Sequence, residues 1–229
     1  MDIELFCVAC ADVEAVREKA VSLVTPARRA KMRRLLRADD QLRCLGAGLL
    51  LRHVLGVRHD SQLAYGACGK PSLSCQGAPG FSLAHAGNFA LLAVGPSVLG
   101  ADIEPWTAAA WSRDVPRGAG PCAVPDLQFV QYWMTHEEQR LWADSSDQDD
   151  VFVRAWTGKE SLLKATGQGF QLDPASFSIL PLTDGLRVFQ GREWTVTWRT
   201  LEKHQLAVAT PGAVAGLTLT VVSARDIVS

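Results

Sequence analysis

Apolar positions recur along the chain at two spacings, and each spacing predicts a different element. Residues 3–10, Ile3-Glu4-Leu5-Phe6-Cys7-Val8-Ala9-Cys10, form a short apolar run that reads as a strand. Behind the capping residue Asp12, Val13, Val16, Ala20, Leu23 and Val24 fall at helical spacing. Thr25-Pro26 restarts a helix, a capping hydroxyl followed by proline at the first helical position. Beyond Asp39-Asp40, the residues Leu42, Leu45, Leu49, Leu50, Val54 and Leu55 predict a central buried helix.

Residues 66–80 are rich in glycine, proline and serine and read as a loop that exposes Lys70-Pro71. Short β-rich runs at 81–83, 89–94 and 98–103, punctuated by Gly87-Asn88 and Gly95-Pro96, favour antiparallel pairing. The stretch 105–125 has no regular apolar period and reads as a flap or linker. A helix is expected over 127–142, an acidic loop over 144–150 and a second helix over 151–165. Strands are expected at 176–180, 186–189, 193–200, 204–209 and 217–222. Helices and strands are segregated within each half, which predicts an α+β fold. The expected partition is residues 1–105, a flap over 106–126, and residues 127–229.

Composition narrows the function classes. Hydrophobic residues make up 48% and charged residues 21%, as in an ordinary globular protein. A net charge of −1 gives no global basic field for nucleic acid or an anionic membrane. No apolar stretch approaches the ~20 residues of a membrane-spanning helix. Asp2 and Glu4 stand where a signal peptide would be basic, so the expected compartment is the cytoplasm. Six cysteines invite a metal reading, with Cys7 and Cys10 in C-x-x-C spacing. On a strand those two face opposite sides, so reduced, apolar cysteines are expected.

Four features carry possible chemistry. Asp102 and Glu104 end an apolar strand, and residues two apart share a face, so their carboxylates repel unless a cation or proton lies between them. Oxygen-only ligands with room for phosphate suit Mg²⁺, although an isolated pair of this kind also fits a solvated strand end. Glu160 and Lys164 are one helical turn apart, in the orientation of a surface ion pair. Turned toward Asp102 and Glu104, Glu160 would be a third carboxylate and Lys164 a cation for phosphate. His85 ends a strand before a glycine turn, where a structural role is as good a reading. Residues 28–37 hold six basic side chains, a solvated face or a local polyanion site.

Taken in order, these pieces resemble the surfactin-synthetase-activating type of 4′-phosphopantetheinyl transferase. The likeness rests on Gly69-Lys70-Pro71 leading to Phe81-Ser82-Leu83-Ala84-His85-Ala86-Gly87, on Leu99-Gly100-Ala101-Asp102-Ile103-Glu104, and on Trp156 through Gly167 (WTGKESLLKATG). The basic segment from Thr25 to Arg34 is similar to the family's own. Ala84 and Ala86 depart from the family's serines, Ala101 from a bulky branched residue, and Cys44 from a threonine near the nucleotide.

The resemblance implies two similar α+β subdomains related by pseudo-twofold symmetry, with the active site in the cleft between them. It implies a monomer with an internal pseudo-dimer, acting on coenzyme A and an apo acyl or peptidyl carrier protein. Asp102, Glu104 and Glu160 would hold Mg²⁺. Glu160, Lys164 and His85 would be catalytic, and Glu137 a further candidate near the metal. Arg28, Lys31, Lys70, His85, Lys159 and Lys164 would bind the cofactor. The flap tryptophans Trp106 and Trp111 would either receive the carrier's helix or pack on their own neighbours. A Mg²⁺-dependent coenzyme A phosphohydrolase and a catalytically silent coenzyme A-binding module are the alternatives.

Overall fold

The computed structural model describes residues 2–96, 98–106 and 127–229, and the backbone alone of Phe170. The chain forms two compact units, Met1–Leu99 with Val214–Ser229, and Gly100–Ala213. This differs from the expected partition at both ends. The strand carrying Asp102 and Glu104 belongs to the second unit, and the last sixteen residues return to the first. Trp111 and most of the flap lie outside the described residues.

In the first unit, β1 (Asp2–Ala9) pairs antiparallel with β5 (Phe89–Gly95), which pairs antiparallel with β4 (Gly80–Ala86). On the other edge β10 (Gly216–Val221) lies parallel to β1, so the order is β10-β1-β5-β4. A parallel neighbour needs a long connection, and here most of the chain supplies it. The loop expected over 66–80 instead contains half of a small hairpin, β2 (Leu63–Tyr65) with β3 (Pro71–Leu73).

Four helices follow β1: α1 (Cys10–Ala15), α2 (Arg17–Leu23), α3 (Pro26–Arg34) and α4 (Ala38–Leu55). Cys10 opens α1 rather than ending the strand. Burial pushes the Cys7 thiol up to about 12 and that of Cys10 up to about 11, so both behave as apolar side chains. Thr25 caps α3 by accepting from the Arg28 amide at 3.4 Å, with Pro26 in the first turn. Residues Leu45, Leu49 and Leu50 of α4 are fully buried. The helix sits close to the sheet because Gly46 has no side chain: a Cβ there would lie 3.0 Å from Val8 and 3.2 Å from Ala90.

In the second unit, β6 (Gly100–Pro105), β9 (His204–Pro211), β8 (Arg192–Leu201) and β7 (Gly185–Phe189) form an antiparallel sheet in the order β6-β9-β8-β7. The single helix expected over 127–142 is broken into α5 (Leu127–Trp133) and α6 (His136–Asp144). Thr135 is the reason: it forms a capping box with Glu138, which starts a new helix at His136. The long helix α7 (Gln148–Thr166) packs on this sheet, whereas α8 (Ala224–Val228) belongs to the first unit. Residues 176–180 do not form the expected strand. They follow a 3₁₀ turn, and the Ile179 amide is taken by Glu138 rather than by a neighbouring strand.

The α+β fold class read from the sequence is therefore the one observed. Among the described residues, no helix is long and apolar enough to cross a membrane.

Candidate active site

The site is built where α7 crosses β6. Along β6 the residues Gly100, Asp102 and Glu104 share one face, and their partners on β9 are Ala209, Ala207 and Gln205. Glycine and two alanines leave a shallow floor for the helix. A Cβ on Gly100 would lie 2.0 Å from the Ser161 carbonyl oxygen and 2.2 Å from the Ala165 nitrogen, so only glycine allows this approach. Gly158 does the same against β8, where an added Cβ would meet Trp198 and Ile179, each at 2.8 Å. Trp198 fixes the helix from that side, its indole nitrogen donating to the Arg154 carbonyl at 3.1 Å.

With Ser161 and Ala165 on the strand, the neighbouring stripe of α7 carries Glu160 and Lys164 beside the β6 carboxylates. Lys164 Nζ donates to Asp102 Oδ1 at 2.5 Å. The Asp102 side chain is 5% exposed and that of Lys164 is 32% exposed. Burial pushes the Asp102 carboxyl up, and the ammonium of Lys164 pulls against that shift. Glu160 is pushed up to about 7, first by burial and then by the charge of Asp102, with Lys164 opposing. Burial alone would lower Lys164, but the charges of Asp102, Glu160 and Glu104 outweigh it and its pKa is raised. Lys164 is thus the cation that the three carboxylates share.

Two oxygens of this group are buried without a hydrogen-bond partner, Asp102 Oδ2 and Glu160 Oε1. Among the described residues, no three His, Cys, Asp or Glu side chains form a metal site by themselves. The donor set nevertheless fits a hard divalent ion that takes the rest of its ligands from phosphate. It consists of carboxylates alone, and two of their oxygens are buried and unused.

Lys159 corrects an expectation from the sequence. It does not offer its ammonium to a cofactor, because the residue is fully buried. Its Nζ donates to the Trp133 carbonyl at 2.9 Å and the Pro174 carbonyl at 2.8 Å, and lies 2.6 Å from Glu138 Oε2. Glu138 also accepts from the Thr135 amide at 2.8 Å and the Ile179 amide at 2.7 Å. The pair ties α5, α6, α7 and the 176–180 segment together. Glu137, the further candidate near the metal, is exposed, and the buried acid is its neighbour Glu138. The T-x-x-E capping box was the available signal.

The remaining cofactor candidates belong to the first unit. Arg28 and Lys31 lie on α3, Arg28 partly buried and Lys31 exposed. The buried Cys44 thiol donates to the Arg28 carbonyl at 3.8 Å. His85 is exposed on β4, opposite Ala90. The following turn is held by Arg43, whose guanidinium donates to the Gly87 carbonyl at 2.6 Å. Lys70 Nζ donates to the Leu99 carbonyl at 3.0 Å, and burial lowers its pKa to about 8.

The family model of the 4′-phosphopantetheinyl transferase superfamily matches residues 98–217, just over half of the chain and all of β6 and α7. The chain is 26% identical over 173 residues to the 4′-phosphopantetheinyl transferase Sfp of Bacillus subtilis, covering 73% of this chain and 71% of that protein. Another Bacillus subtilis 4′-phosphopantetheinyl transferase is 27% identical over 202 residues, covering 83% and 84%. The L-aminoadipate-semialdehyde dehydrogenase-phosphopantetheinyl transferase of Homo sapiens is 25% identical over 219 residues, covering 83% and 68%. With the match spanning the strand and helix that carry Asp102, Glu104, Glu160 and Lys164, the chain belongs to the 4′-phosphopantetheinyl transferase superfamily.

Proposed function

We propose that this phosphopantetheinyl transferase moves the 4′-phosphopantetheine group of coenzyme A to a serine of an apo acyl or peptidyl carrier protein. In this reading 3′,5′-adenosine bisphosphate is released and Asp102, Glu104 and Glu160 hold Mg²⁺. The observation that carries it is the pair of buried, unpartnered oxygens on Asp102 and Glu160 beside the shared ammonium of Lys164.

The serine oxygen attacks the β-phosphorus, and the bond from that phosphorus to the bridging oxygen breaks. When bound, Mg²⁺ supplies neutralisation of charge on the pyrophosphate oxygens. Lys164 keeps its proton, so it acts as a fixed cation for the leaving phosphate rather than as a proton donor. Glu160 is the candidate acceptor of the serine proton only while it does not hold the ion, because a bound cation lowers its carboxyl from the value of about 7 that burial and Asp102 give it. Arg28, Lys31, Lys70 and His85 bind the cofactor phosphates, and His85 is assigned no proton transfer.

The reading also makes the chain a cytoplasmic monomer. Cys7, Cys10, Cys44, Cys68 and Cys75 are free thiols, which suits a reducing compartment. The four charged residues of the site come from one unit of one chain, which suits a monomer.

Mass spectrometry tests the reaction. Incubated with coenzyme A, Mg²⁺ and the enzyme, an apo carrier protein should gain ~340 Da by phosphoryl transfer to its serine. Release of free phosphopantetheine with no gain on the carrier would establish hydrolysis instead.

A further inference from the structure

Among the described residues, three buried side-chain oxygens have no hydrogen-bond partner: Asp102 Oδ2, Glu160 Oε1 and Gln205 Oε1. The first two belong to the carboxylate site. The third stands beside it, because Gln205 is the cross-strand partner of Glu104 on the face of the sheet that also carries Asp102. Directly opposed residues of an antiparallel pair have Cβ atoms about 4.5–5.5 Å apart, and diagonal neighbours about 7–8 Å.

The orientation of the Gln205 amide is fixed by its own contacts. Nε2 donates to the Arg199 carbonyl at 2.9 Å and to the Leu206 carbonyl at 3.2 Å. Both partners are acceptors, so the nitrogen must face them and the oxygen must face away. Gln205 is 1% exposed, so its acceptor has been taken out of water without a donor in exchange. A buried amide oxygen left in that state keeps an uncompensated desolvation cost, which a bound ion or its hydration water would offset. An amide oxygen is also a hard, neutral donor, suited to a divalent cation or to a water in its hydration shell.

We infer that Gln205 is a further residue of the divalent-ion site, its Oε1 accepting from the ion's hydration water or meeting the ion directly, beside Glu104. This rests on the reading that Asp102, Glu104 and Glu160 take a divalent cation. Gln205 adds reach without adding charge. A fourth carboxylate at this place would bind the free ion more tightly and oppose the arrival of an anionic pyrophosphate.

Mn²⁺ titration of the full chain, followed by calorimetry and by electron paramagnetic resonance, tests the inference without relying on turnover. Gln205→Met should weaken Mn²⁺ binding by about 10- to 100-fold, the usual effect of losing a supporting ligand. Gln205→Glu should tighten it. If wild type binds Mn²⁺ and a folded Gln205→Met binds it equally well, Gln205 has no part in the site. If wild type binds no Mn²⁺, the metal reading falls and this one with it. Should Gln205→Met not fold, wild type alone decides. Stoichiometric Mn²⁺ should broaden the side-chain amide resonances of Gln205 together with the backbone resonances of Ile103. Sharp Gln205 signals beside broadened Ile103 signals would overturn the inference.

Discussion

The backbone of Gly100 rests on the backbone of Ala165, so that a Cβ on Gly100 would lie 2.2 Å from the Ala165 nitrogen. This contact sets the depth at which α7 lies on β6, and with it the reach of Lys164 to Asp102. Neither side can give way, because both are backbone held in regular structure. Gly100→Ala should therefore cost at least about 3 kcal/mol, the upper end of overpacking, measured by urea denaturation. An unchanged midpoint in Gly100→Ala would remove this contact as the determinant of how deep α7 lies on β6.

How much of this was legible beforehand depends on range. The cap of α3 and the apolar periods of α4 and α7 are local, and the sequence shows them, but the Asp147 cap that starts α7 at Gln148 lies inside the expected loop 144–150. The grouping of Glu160 with Asp102 was a reading from motif order and resemblance; no local rule brings residues on different elements together. What determines it physically is the small-residue floor of Gly100, Ala207 and Ala209, whose meaning appears only when β9 is known to pair with β6. The parallel pairing of β10 with β1 joins the two ends of the chain and has no local signature. Lys159 misled because charged residues in a motif suggest ligand contact, whereas its partners, Trp133, Glu138 and Pro174, are distant in sequence.

Lys159 and Glu138 make a buried pair, and removing one partner leaves the other charged and uncompensated. Lys159→Met should cost about 3–5 kcal/mol at neutral pH. Urea denaturation at neutral pH measures that loss. A Lys159→Met that kept wild-type stability but raised KM for coenzyme A would restore the phosphate-binding role.

Lys70 gives a pH-dependent signature of cofactor binding. Burial lowers its pKa to about 8, so near pH 8 about half of the free enzyme carries a neutral Lys70. A phosphate bound beside it favours the ammonium and raises the pKa again. Coenzyme A binding at pH 8 should then take up a fraction of a proton, read as a dependence of the calorimetric heat on buffer ionisation. In Lys70→Met that uptake should disappear. The same shift acts on folding: the unfolded chain binds the proton more tightly than the folded one between about 8 and the ordinary lysine value of 10.5, so this group's contribution to stability rises with pH across that window. Equal proton uptake in wild type and Lys70→Met would remove Lys70 from the phosphate site.

Asp102 and Lys164 should respond in opposite directions when a divalent ion is titrated. Asp102→Asn keeps the shape of the side chain but gives up a ligand charge. It should lower kcat/KM for transfer by at least about 100-fold and weaken Mn²⁺ binding. Lys164→Met removes the cation that the three carboxylates now share. Their mutual repulsion is then relieved only by protons or by the added ion, so Mn²⁺ should bind more tightly than to wild type. Turnover should nevertheless fall by about 10² or more, because the fixed positive charge at the leaving phosphate is gone. Tight Mn²⁺ binding with slow transfer separates the holding of the ion from the stabilisation of the leaving group. Weaker Mn²⁺ binding in Lys164→Met would mean that the ammonium organises the carboxylates rather than competing for them, and its assignment as a counter-cation would have to be abandoned.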